Sequence, residues 1–179
     1  IDVDTDAECL CLSVEEDHSF VCSGIAVHNC MKSILVSVMW PAWMWIKKPE
    51  ARIMGASYGV DLSIRDAMKC RDIITSEWYQ SNWPHVQIWS GDDQKTKYGL
   101  VAGGWRMATS VGGRATGEHP DFKIVDDPMN AAQADSDAER ESANIWFDRT
   151  LSTRGKSRGA RTVVVMQRLH EQDTTGHIL

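Results

Sequence analysis

The sequence predicts an α/β fold, a mostly parallel sheet with flanking helices, preceded by a short all-β segment. Three observations carry that expectation. From Met31 onward, continuous apolar stretches of strand length alternate with helical periodicities, the pattern of parallel strands joined by crossover helices. The first thirty residues show brief apolar alternation and no helical period. The composition, 42% hydrophobic and 25% charged over 179 residues, is that of a globular protein with a core of ordinary size.

The elements follow in chain order. In the head, "CLCLSV" and "SFVCSGIAV", separated by "EEDH", read as short strands joined by turns, too small a unit to fold alone. Residues 32–40 are helical in pattern, and "ARIMGASY" is a buried strand. Asp61 caps a helix running to about Ser76, with Leu62, Met68 and Ile73 among its apolar positions. Trp105, Met107, Thr109 and Val111 alternate at period two and mark a strand. "DFKIVDDP" is an apolar strand that ends in two carboxylates and is stopped by Pro128. Ser136 and Glu139 form a capping box, followed at helical spacing by Ala143, Trp146, Phe147, Thr150 and Leu151. "ARTVVVMQ" is the last apolar strand, and no internal repeat or low-complexity segment interrupts the order.

Charge and cysteine usage narrow the function classes. A net charge of -6 and a pI near 5.5 argue against a domain-wide electrostatic footprint for nucleic acid. Arg154, Lys156, Arg158 and Arg161 form the only basic run. Five cysteines without a C-x-x-C pair suggest neither zinc nor a redox couple, and a reducing compartment is the simpler expectation. The apolar run 34–46 is broken by Ser37 and Pro41 and is too short to span a bilayer, and no charged-then-apolar signal opens the chain. The first residue is Ile, which suggests a fragment.

The stretch "GIAVHNCMKS" joins two chemistries. Met-Lys-Ser before an apolar helix reads as the tail of a phosphate loop, in which backbone N–H groups wrap the phosphates, a lysine adds charge and a hydroxyl ligates Mg²⁺. Lys32 and Ser33 supply the last two parts, but the upstream glycines are missing. On its own the triplet is weak. It gains weight from the strand ending Asp126-Asp127, because a nucleotide motor needs a second strand whose carboxylates hold the metal and polarise water. A second G-K-S at 155–157 follows a helix and precedes a strand, the reverse of the order a phosphate loop needs, and reads as a surface loop.

Through "SYGVDLSIRDAMKCRDIITSEWYQ", "ATSVGGRATGEHPDFKIVDDP" and "VVVMQRLHEQDTTGHIL", residues 30–179 resemble the ATPase domain of the large terminase subunit of tailed bacteriophages. The resemblance implies a P-loop NTPase-like fold, and ATP and Mg²⁺ as cofactors. Lys32 and Ser33 would be its phosphate-loop lysine and hydroxyl. Asp126 and Ser33 would hold the metal. Asp127 stands where many such motors carry a catalytic glutamate. Gln167 and Arg168, with His170 and Glu171, resemble the motif that couples hydrolysis to movement; satisfied polar residues in a strand-to-helix turn are an equal reading. Arg114 would reach a phosphate or a neighbouring subunit, or simply lie at the surface. The implied partners are double-stranded viral DNA, the portal, the small terminase subunit and further copies of the chain, in the cytoplasm of the infected bacterial host, with no membrane. The family's C-terminal nuclease domain is expected to be absent from this chain.

Residues 1–29 resemble the C-terminal end of an intein, a Hint-fold segment, through "CLSVEEDHSFVCSGIAVHNC". In that resemblance Cys30 accepts the upstream acyl chain on its thiolate, and Asn29 closes a succinimide that cuts the bond to Cys30. His28 donates a proton to the departing amine or polarises the carbonyl, and His18 orients the asparagine or its leaving group. Cys11 takes at most a helper role. Splicing needs no cofactor. It needs a partner, an N-terminal intein half carrying the N-extein, and either a split precursor or an incomplete reading frame accounts for this chain. Two alternatives stand beside this reading: a hydrolase built on Cys30 and His28, and a non-catalytic nucleic-acid module using the basic run and the eight tryptophans, most of which are expected in the core.

Overall fold

The computed structural model describes residues 31–113, 117–151 and 160–179, and the backbone of residues 19–22 and 25–28. The chain divides into two compact units, Ile1–Met31 and Lys32–Leu179. In the first unit, β1 (Ser19–Cys22) pairs antiparallel with β2 (Ile25–His28), Ser19 opposite His28. These are two of the brief strands expected from the head; "CLCLSV" lies outside the described residues.

The second unit begins with one helical run. Lys32 and Ser33 are already helical, Ile34–Met39 form a π-helical segment, and α1 (Trp40–Lys47) continues it. The run therefore extends past the expected end near Trp40. Pro41 does not stop it; it stands just after the π-helical segment, where the bonding has shifted to i→i+5, as in the Trp40 N–H donating to the Leu35 carbonyl.

β3 (Arg52–Ser57), α2 (Val60–Thr75) and α3 (Glu77–Asn82) come next. A hairpin follows, β4 (Ile88–Asp93) and β5 (Lys97–Leu100), and then β6 (Trp105–Ser110) and β7 (Phe122–Asp126). The chain continues through α4 (Ala131–Ala134), α5 (Asp137–Trp146) and a second π-helical segment, Phe147–Leu151. It ends with β8 (Arg161–Val165) and α6 (Thr174–Ile178).

The six strands form one mixed sheet in the order β4-β5-β6-β3-β7-β8. β6, β3, β7 and β8 are mutually parallel, whereas β5 pairs antiparallel with both β6 and β4 and so runs against the other strands. The parallel centre matches the expectation of a mostly parallel sheet; the hairpin at one edge was not foreseen. Its strand β4 is largely exposed and carries no apolar alternation, so periodicity had nothing to register.

Helices cover both faces. Val38, Ala42, Trp45, Ala67, Cys70, Ile74 and Tyr79 pack on Ile53 and Ile124 on one side. Trp146 and Leu151 pack on Met54, Ala56 and Val125 on the other. Burial on both faces is why β3 and β7 read as continuous apolar runs. Trp45 Nε1 donates to the Ala51 carbonyl at 2.9 Å and ties the end of α1 to the start of β3.

Three further expectations shift. In β6 the deeply buried side chains are Arg106, Ala108 and Thr109, while Trp105 and Met107 are only half-buried, so the face carrying Arg106 and Ala108 is the better covered. Ser136 does cap α5, but the reciprocal capping box belongs to Asn130 and Gln133 at α4. Trp45 and Trp146 are core residues, whereas Trp43, Trp78 and Trp89 are more than half exposed.

Candidate nucleotide and metal site

Four parallel strands end at one edge of the sheet, and in α/β folds ligands bind where such strands end. β7 is buried along its whole length and delivers Asp126 and Asp127 to that edge. Pro128 follows and cannot continue the ladder.

Asp126 is 8% exposed. Its Oδ2 accepts a hydrogen bond from Ser37 Oγ at 3.0 Å. Its Oδ1 is buried with no partner among the described residues. Burial pushes this carboxyl above the usual aspartate range; the nearby Ser33 and Ser37 hydroxyls pull the other way, and the Asp127 and Asp66 carboxylates push it further up. Ser33 and Ser37 lie one helical turn apart on the same face of the run that opens at Lys32. The Ser37 hydroxyl of the M-K-S helix thus holds the carboxylate that ends β7, with Ser33 one turn before it. Lys32 is exposed at the start of that helix.

The donor set fits Mg²⁺. It offers one hard carboxylate with an oxygen left free by the protein, one adjacent hydroxyl and no soft ligand, and Mg²⁺ typically takes one or two carboxylates and fills the remaining positions with water and phosphate. Among the described residues no cluster of three or more His, Cys, Asp or Glu offers an all-protein cage.

Asp127 is exposed and has φ of 46°, the one positive φ outside glycine among the described residues. Its N–H donates to the Val165 carbonyl at 2.8 Å, and its carbonyl accepts from the Tyr58 N–H at 2.9 Å. Both neighbouring strands therefore clamp the backbone in the left-handed region, which Asp and Asn tolerate better than Glu. This gives a local reason for an aspartate here. Asp127→Asn should leave stability unchanged, whereas Asp127→Val should cost about 1–2 kcal/mol in urea unfolding; equal stability of the two variants would mean the backbone is not held.

Gln167 and Arg168 follow β8, whose register sets Val165 beside Asp126, so both lie toward the same sheet edge and both are exposed. Arg168 Nε donates to Asp173 Oδ2 at 3.0 Å. Burial alone would push the Asp173 carboxyl up, but the N–H groups of Gly176, Leu169 and His170, together with Arg168, hold it below the usual range. Arg168 thus organises the turn into α6. His170 Nδ1 accepts from the Gln172 N–H at 3.0 Å in the same turn, and Glu171 is exposed there.

His28 lies in β2, with only its backbone described, while His18, Asn29, Cys30, Cys11 and Arg114 lie outside the described residues, as do Arg154, Lys156 and Arg158. Sequence reasoning missed Ser37 and Arg106. Ser37 was visible as a second hydroxyl four residues after Ser33 in an apolar helix; Arg106 had no such signal, because a charge in a strand normally faces solvent. No protein-family model matches the chain, and no curated protein matches it.

Proposed function

We propose that this chain is part of an intein-containing terminase large subunit of a tailed bacteriophage. Splicing at Asn29 and Cys30 would release residues 1–29 and join the rest to an upstream piece ending in a glycine-rich loop. The ligated product would hydrolyse ATP to drive viral DNA packaging. The observation that carries the reading is the hydrogen bond from Ser37 Oγ to Asp126 Oδ2 at 3.0 Å, which ties the helical run that opens at Lys32 and Ser33 to a carboxylate 89 residues beyond Ser37.

In that product Lys32 would meet the phosphates, and Ser33 with Asp126 would hold Mg²⁺. The bound ion neutralises charge developing on the phosphates. Asp127 would accept the proton of the attacking water, and Gln167 would lie close to the transferring group. β8 supports the reading too. It ends the sheet with one strand edge unpaired among the described residues, and its side chains are at best half-buried, whereas those of β7 are all buried. A strand leading into the missing loop would cover that edge. The partners would be an N-terminal intein half with its N-extein, double-stranded viral DNA, the portal, the small terminase subunit and further copies, in the infected host's cytoplasm. Among the described residues no helix is long and apolar enough to cross a membrane.

The test is ATP binding with Mg²⁺ by the ligated protein. Binding is expected, with a loss of about tenfold or more on Lys32→Ala; unchanged affinity in that variant would remove Lys32 from the phosphate site. A non-catalytic single-stranded DNA module is a second reading, favoured by exposed Trp43, Trp78 and Trp89. Salt-dependent binding of single-stranded DNA by the unspliced chain, without nucleotide binding after ligation, would prefer it.

A further inference from the structure

The least expected side chain in the core is Arg106, 1% exposed in β6 with no carboxylate paired to it among the described ion pairs. A buried charge held without a salt bridge costs stability, so its retention calls for a physical reason. Its Nη2 donates to the Ser37 carbonyl at 2.7 Å. That carbonyl lacks its α-helical donor, because the residue four positions on is Pro41, which has no N–H. The same turn is π-helical, a distortion that recurs at functional sites.

To reach Ser37, Arg106 crosses β3 above Gly55, where a Cβ would stand only 3.1 Å from Nη2. Glycine inside a strand often marks such a close approach. Ser37 then passes the constraint on, since its Oγ donates to Asp126 Oδ2. Arg106 Nε and Nη1 and Asp126 Oδ1, all without partners among the described residues, belong to side chains lining one small polar cavity with Ser57 and Asp66.

We propose that Arg106 is a positioning residue for the metal-binding carboxylate: it fixes the Ser37 turn, and Ser37 fixes Asp126 with one oxygen free. The functional meaning rests on the ATPase reading above, but the relay itself does not. In a relay, loss of Arg106 and loss of Asp126 are coupled only while Ser37 is present.

Urea unfolding of the full chain tests this with Arg106→Met and Asp126→Ala, singly and together, with Ser37 intact and in the Ser37→Ala background. Non-additivity of about threefold or more in the unfolding constant is expected with Ser37, and additivity without it. Additivity in both backgrounds, or coupling that survives Ser37→Ala, overturns the relay. Should Arg106→Met fail to fold, the same cycle is run with Arg106→Lys, which keeps the charge, and with Gly55→Ala, which keeps both side chains and crowds Nη2.

In the ligated protein Arg106→Lys and Gly55→Ala should each lower kcat about tenfold with KM for ATP unchanged. A purely structural role would leave turnover per folded molecule intact. A ligated wild type that hydrolyses no ATP counts against the ATPase reading, whereas the unfolding cycle judges the relay on its own.

Discussion

Asp126→Asn should make this protein more stable at neutral pH while abolishing the Mg²⁺-dependent hydrolysis of its ligated form. The carboxylate is buried, and the asparagine amide oxygen can still accept from Ser37. Because burial raises the folded-state pKa above the usual 3.8, the ionised form is disfavoured by the fold. That penalty is absent below the unfolded-state value and grows as pH rises through the window toward the raised folded value. The stability advantage of the variant should therefore shrink as pH is lowered toward the usual aspartate value. The neighbouring charges are Asp127, just after β7, Asp66 and Arg65 on α2, and Arg106, which lines the same cavity; they act on the ionised carboxylate and not on the neutral asparagine, so the comparison includes them. Thermal unfolding across that pH range checks the sign. Hydrolysis should drop by about a hundredfold or more, the scale of losing one preorganised electrostatic contact at a developing charge. A variant less stable than wild type at neutral pH would mean that the ionised carboxylate is a net structural asset.

Asn29→Ala is the second change of large effect. Mixed with a matching N-terminal intein half, the wild-type chain should release residues 1–29 and carry the foreign extein on Cys30. The variant keeps the Cys30 thiol, so acyl transfer proceeds, but it has no side-chain amide to close a succinimide and cut the peptide bond. A branched thioester that hydroxylamine cleaves should accumulate. Mass spectrometry distinguishes the branch from the ligated product by the retained mass of residues 1–29. Normal ligation by the variant would rule out Asn29 as the cleaving group.

The parallel centre of the sheet was legible because β3 and β7 are buried on both faces and leave unbroken apolar runs, each with its own stop signal. The β4–β5 hairpin was not: β4 is an exposed edge strand that needs no apolar period, and β5 is buried but only four residues long, too short for a pattern to register. Asp126 was visible as a charge at the end of an apolar strand. Its partners were harder to find. Ser37 lies four residues from Ser33, yet a serine in an apolar helix reads as an interruption until the carboxylate facing it is known. Arg106 and Gly55 meet only because β6 and β3 are neighbours in the sheet, a pairing that local sequence does not encode. Pro41 looked like a helix stop and instead leaves a carbonyl open for Arg106.

The central claim is that splicing assembles an ATP-hydrolysing site around Lys32, Ser33 and Asp126. A phosphate loop works through consecutive backbone amides, and a chain that reaches Lys32 from "IAVHNC" does not carry the glycines that place them. The most direct measurement is phosphate release from ATP and Mg²⁺ by the same chain before and after ligation to an N-terminal terminase piece ending in a glycine-rich loop, at equal protein concentration. The unspliced chain should match the protein-free background, and ligation should produce hydrolysis that disappears with Lys32→Ala and with Asp126→Ala. Robust release from the unspliced chain that depends on Lys32 would contradict the account.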